Sequence, residues 1–238
     1  MTTFKSFTLS LLLLTSVSSF TKAQGLPDLP NKPQPELDMK WICPPLGRVT
    51  KTTDVEKIKL MNRIDGTSKY HEIGFMDLKS LTSPQGLLNK KRPAWTPQQK
   101  EVVKKNEGIP VVVYGYFLLT AVNGTVTGAM PEPPELCNCL SKDRKQVDFR
   151  LWLVNNPNDP KSEAIVAQMT PRVRARRKDW NLKNLTYIAQ GRFLVRVYGW
   201  LLFEDDEQKR LGRTRATLWE IHPVIQIEFR EKGEWITL

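Results

Sequence analysis

From residue 192 to residue 203 the chain reads Arg-Phe-Leu-Val-Arg-Val-Tyr-Gly-Trp-Leu-Leu-Phe. A two-residue alternation is the period of a β-strand, whose successive side chains point to opposite faces. Phe193, Val195, Val197, Gly199, Leu201 and Phe203 fall on one face, which holds nothing polar. Arg192, Leu194, Arg196, Tyr198, Trp200 and Leu202 fall on the other. A merely solvated face would carry Lys, Glu, Thr and Ser. Guanidinium groups and rings instead stack on flat groups and attract phosphates. The stretch therefore demands a β-rich domain with one apolar interior. Its second face is either a ligand surface or a seat for another part of the chain.

Four further strands share this character. They cover Val111–Thr120, Asp148–Val154, Ala164–Thr170 and Thr217–Phe229, the last bent or bulged at Pro223. One helix falls between the third and fourth strands. Asp179 is expected to cap it, Trp180, Leu182, Leu185 and Ile188 form its apolar side, and Gly191 closes it. Three strands, one helix, then two strands is the order of the five-stranded oligonucleotide/oligosaccharide-binding (OB) barrel. The fold class is mainly β: an OB-like barrel over residues 94–238, preceded by a Pro-rich, partly helical extension over 24–93. Within the extension, Thr53-Asp54 can cap a short helix running to about Arg63, and residues 67–93 read as irregular. Thr96-Pro97 opens a helix running to about Asn106, since Thr caps and Pro suits a first turn.

The start of the chain resembles an export signal. Lys5 precedes an apolar stretch around Leu9 and Leu11–Leu14, and Thr21 and Ala23 suit a cut before Gln24. The apolar stretch is shorter than the roughly 20 residues that span a bilayer. Residues 1–23 are thus expected to be a signal peptide, and the mature protein to be periplasmic or secreted, with no membrane span. Removing them takes away Lys5 and Lys22 and no acid, so the net charge falls from +11 to +9. Residues 172–215 hold twelve basic and five acidic residues, and such excess favours nucleic acid or anionic polysaccharide as a partner. An exported chain permits disulfides. A bridge from Cys43 to either Cys137 or Cys139 is expected, because a bridge across Asn138 alone is strained. No metal site is expected: structural zinc needs about four ligands, and the chain has three cysteines and two histidines.

Several short segments carry a resemblance. Cys43-Pro-Pro, Cys137-Asn-Cys139, Thr170-Pro-Arg-Val-Arg-Ala175, Tyr198-Gly-Trp-Leu-Leu202 and Thr217-Leu-Trp-Glu-Ile-His-Pro-Val224 resemble an uncharacterised family of exported bacterial proteins with an OB-fold-like domain. The resemblance covers residues 41–238 and implies a fold without implying an activity. Where this chain has Arg150, the proteins it resembles tend to carry His.

Three groups of residues could carry function. The first is the aromatic and basic strand face: Arg150, Trp152, Arg196, Tyr198 and Trp200. The second is the basic run Arg172, Arg174, Arg176, Arg177 and Lys178, read as a loop or strand end in which alternation would bring Arg172, Arg174 and Arg176 together. Together these make an exported OB-fold binding protein for nucleic acid or another anionic polymer the leading reading. The third is Asp148, Glu220 and His222, weak catalytic candidates for a metal-dependent phosphodiesterase. A third reading is a structural envelope protein whose OB face is covered by its own N-terminal extension. No phosphate-cradling glycine loop and no serine-hydrolase elbow is present, so no cofactor is expected and the residues favour binding over catalysis.

Overall fold

The computed structural model describes residues 43–48, 50, 54–87 and 90–238. The expected signal peptide and most of the Pro-rich linker lie outside the described residues. No described helix is long and apolar enough to cross a membrane. In chain order the helices are α1 (Val55–Met61), α2 (Phe75–Lys79), α3 (Pro97–Lys104), α4 (Pro171–Arg174) and α5 (Leu182–Gln190). The strands are β1 (His71–Glu72), β2 (Pro110–Phe117), β3 (Thr120–Val122), β4 (Thr125–Thr127), β5 (Met130–Pro131), β6 (Phe149–Val154), β7 (Ile165–Met169), β8 (Val195–Phe203), β9 (Trp219–Glu231) and β10 (Glu234–Thr237).

Five strands close into a ring. β2 pairs with β6, β6 with β7, β9 with β8 and β8 with β2, all antiparallel, while β7 and β9 run parallel. A parallel pair needs a crossover, and α4, α5 and β8 supply it. The ring's interior is the face that alternation predicted: Val195, Val197, Leu201 and Phe203 meet Val113, Leu151, Leu153, Ile165, Trp219 and Ile221 in one buried cluster. Leu185 and Ile188 of α5 join this cluster, as do Phe75, Leu78, Leu87 and Trp95 from the preceding segment. The extension is therefore part of the core.

The bend expected at Pro223 is present. The β8–β9 register shifts on either side of Gly199, which pairs with Val224. A Cβ on Gly199 would stand 2.4 Å from the Pro223 carbonyl oxygen, so the strands meet there only because residue 199 is glycine.

Three local expectations are corrected. α5 is capped by Asn181, whose Oδ1 accepts from the Asn184 amide at 3.0 Å, and not by Asp179. Trp180 is buried and held by its Nε1 on the Leu238 carbonyl at 2.9 Å, which keeps Asp179 and Trp180 in a turn before the helix. Residues 171–174 form a helical turn rather than a strand end. Thr170 caps it and Pro171 fills its first position, the same Thr-Pro signal that opens α3 after Thr96. Arg172, Arg174 and Arg176 therefore do not share a strand face. Residues 67–93, read as irregular, also contain β1 and α2.

Candidate functional site

On the outer face of β8 the structure places Arg196, Tyr198, Trp200 and Leu202, and residues 54–75 lie over most of them. Trp200 is 7% exposed. Its Nε1 donates to the Asp65 carbonyl at 3.1 Å, and the Arg63 guanidinium sits 3.3 Å above its ring. Arg63 is fixed in turn by a two-pronged bond to the Asp65 carboxylate, at 3.1 and 2.7 Å. The Tyr70 ring meets Tyr198 edge-on at 5.3 Å. Leu202 packs with Ile58, Met61 and Cys137. Only the far end of the face is partly open. There Arg196 lies 3.9 Å over Trp235 and pairs with Glu228 at 2.6 Å, and the Tyr198 hydroxyl donates to the same carboxylate at 2.8 Å.

The outer face of β6, β7 and β9 is covered as well. Trp152 is 1% exposed, with Lys161 Nζ 3.3 Å over its ring and its Nε1 donating to the Thr214 carbonyl at 2.8 Å. Arg150 is 1% exposed and pairs with Glu132 at 2.5 Å and Glu207 at 3.3 Å. Neither side chain presents a surface to a ligand.

Asp148, Glu220 and His222 are brought together, and all three are 0% exposed. His222 stands between the acids, Nε2 3.0 Å from Asp148 and Nδ1 3.1 Å from Glu220. Burial alone would lower its pKa, but the bonds and charges of the two carboxylates push it up to about 10. His222 is thus a buried imidazolium. Burial would raise the Glu220 pKa, yet Arg215, at 2.9 Å, and His222 together hold its carboxyl well below the usual range. Gln168 Nε2 donates to Glu220 at 3.1 Å, and Asn138 Nδ2 donates to Asp148 at 2.9 Å. The acids are committed to cations and amides of the protein, in a place with no exposed atom at which a substrate could arrive.

Beside this network lies a groove of about 330 Å³, lined by residues that sequence reasoning missed. Lys57 reaches Glu204 at 2.6 Å and Asp205 at 2.9 Å, and Arg92 pairs with Glu107 and Asp205 at 2.7 and 3.1 Å. These partners are up to 148 positions apart, so no local signal could have found them. Ligand atoms of Glu135, Cys137 and Asp148 come within 4.8 Å of one another. Burial, with Asp148 and Glu132 nearby, pushes the Glu135 carboxyl up to about 8, and the Cys137 thiol donates to it at 3.4 Å. Asp148 is already engaged by Asn138 and His222, so these bonds account for the group without a metal. The disulfide joins Cys43 to Cys139, which settles the pairing and leaves Cys137 as a buried free thiol.

The basic run is different. Arg172, Arg174, Arg176 and Arg177 are partly exposed, and no ion pair to any of them occurs among the described residues. Arg174 lies 3.7 Å over the Phe149 ring and donates to the backbone carbonyls of Lys145 and Val147 at 3.1 and 2.5 Å. Nε of Arg172, Arg174 and Arg177, and Nη2 of Arg172, are shielded from solvent and reach no acceptor. Burial pushes the Arg174 pKa down to about 10, with Asp148 opposing, and lowers Arg172 and Arg177 as well. Comparison of the chain with protein-family models, with curated proteins and with solved structures finds no match.

Proposed function

We propose that the protein is a non-enzymatic, exported protein of the OB class whose binding face is used internally, as the seat of its own N-terminal segment. The ring order, the parallel pairing of its third and fifth strands and the helix between its third and fourth support the OB assignment. The leader-like pattern of residues 1–23 and the Cys43–Cys139 disulfide support export. Membership of the exported bacterial family that the Cys-Pro-Pro and Trp-Glu-Ile-His-Pro-Val segments resemble fits the same picture. The observation that carries the reading is the seat at Trp200: ring under Arg63, Nε1 on the Asp65 carbonyl.

The phosphodiesterase reading has less support, because its three residues are sealed and serve one another. Deleting residues 24–90 tests the proposal. The remaining ring is expected to lose its cooperative thermal transition, since Phe75, Leu78 and Leu87 leave the core and Trp200 loses its cover. A deletion variant that stays folded and gains affinity for single-stranded DNA would instead make the face a ligand surface. The intact protein is expected to leave nucleic acids uncut with magnesium, manganese, calcium or zinc.

A further inference from the structure

The ring's interior cluster takes in Phe75, Leu78, Leu87 and Trp95 of the covering segments but, among the described residues, nothing from α1. The buried side chains of α1 are Lys57, Ile58 and Met61. Ile58 and Met61 pack with Leu202 and Cys137 in a small cluster of their own. Lys57 is held by Glu204 and Asp205 at 2.6 and 2.9 Å. The helix has seven residues, well short of the roughly 12–15 at which an isolated helix becomes even marginal in water. Both of its flanks, by contrast, are fastened. Before α1, Cys43 is bonded to Cys139, and the Arg48 amide donates to the Leu136 carbonyl at 2.8 Å. After it, Asn62 Nδ2 donates to the carbonyls of Pro45 and Cys137, both at 3.0 Å, and Arg63 and Asp65 hold Trp200. Asp54, Lys57, Ile58 and Met61 also form one wall of the groove of about 330 Å³, opposite residues 134–137 and 204–207.

We propose that α1 is a strap that unwinds and leaves the ring while its two ends stay fastened, and that it thereby gates the groove. The free energy of a local opening is set by what the opening segment alone buries. For α1 that is two apolar side chains and one ammonium. Opening leaves the main cluster intact, because Phe75, Leu78, Leu87 and Trp95 lie outside α1. It removes one wall of the groove, uncovers Leu202 and Cys137, and turns Glu204 and Asp205 toward solution. Asp205 keeps Arg92 at 3.1 Å, so the acids are not left without a cation. The strap rests on the covered-face reading, of which it is the movable part. Trp200 stays seated in both states, so failure of the strap would leave that reading standing.

Cys137 reports the opening. The chain has three cysteines, two of them in the disulfide, and Cys137 is the remaining thiol, 2% exposed. The test is the rate at which N-ethylmaleimide adds to that thiol in the native protein at constant pH, followed by mass and divided by the rate in the urea-unfolded chain. Labelling should proceed under native conditions and change little in dilute urea, because opening seven residues exposes little surface. Ile58→Ala should quicken it about 30-fold. Lys59→Gly lies on the exposed side of α1, where it loses only the exposed pair with Glu56. It lowers helix propensity without touching the cluster, and should quicken labelling about fivefold. Leu78→Ala, in the main cluster, should lower the urea midpoint and leave labelling in water as it was. Four results would overturn the strap: no labelling of the native protein, labelling that follows global unfolding in urea, no response to Lys59→Gly, or equal quickening by Leu78→Ala. The Lys59 variant decides the matter even if Ile58→Ala fails to fold.

Discussion

Two sets of cations on one small ring behave in opposite ways. Under the covering segments, Lys57, Arg92, Arg150, Arg215 and His222 are deeply buried and each faces a carboxylate; on the turn after β7, arginines are half-buried and face none. Both sets have lost water, and an ion that loses water needs a replacement. The covered set finds carboxylates within the chain, whereas the other set finds only the backbone carbonyls that Arg174 reaches and otherwise keeps to water. Basic composition alone does not distinguish the two, because it counts charges and not partners.

The comparison breaks most visibly at Arg215. Arg215→Ala leaves Glu220 buried beside a single cation and should cost about 3–5 kcal/mol in urea unfolding, whereas Arg215→Met with Glu220→Met should cost much less. Trp200→Ala comes next, at about 3 kcal/mol, since it removes both a large buried ring and the seat of Arg63 and Asp65. Protease cutting within residues 62–70 should quicken in the same variant.

A pH series separates the sets without mutation. The folded state holds the His222 proton up to about pH 10, while an exposed histidine releases it near 6.5. Glu135 likewise keeps its proton to about pH 8, against an ordinary 4.5. In both cases the native state binds more protons than the unfolded chain, so stability falls as pH rises. Unfolding at pH 6, 8 and 10 should show a loss of up to about 1.4 kcal/mol per pH unit for each group where only the native state holds its proton. Glu135→Gln should flatten the part below pH 8. The smallest effect is expected at the unpaired set: Arg176→Gln should change stability by less than about 0.5 kcal/mol. A larger loss would mean that the cluster serves the fold.

How much of this was legible depended on range. The alternation at 192–203 named the interior residues of β8, and strand order anticipated the ring, although two helices, α4 and α5, and not one, lie between its third and fourth strands. Thr96-Pro97 marks α3, whereas the identical Thr170-Pro171 is followed by arginines whose spacing also fits strand alternation, which hides the helical turn. Trp152, Tyr198 and Trp200 were recognised as unusual, yet their partners, Lys161, Tyr70 and Arg63, come from other parts of the chain. Asp148, Glu220 and His222 were correctly grouped, with no sign that the group would be closed.

The sequence by itself determined what is periodic and local: the strands, their apolar face, the helix caps at Asp54 and Thr96, and a short list of residues too polar or too aromatic for an ordinary surface. Only the tertiary structure decided which of those residues meet water. Periodicity is set by backbone geometry within a few residues, whereas the covering of a face depends on where distant segments pack. A cation's behaviour follows from the carboxylate beside it, as Lys57 and Glu204, 147 positions apart, make plain.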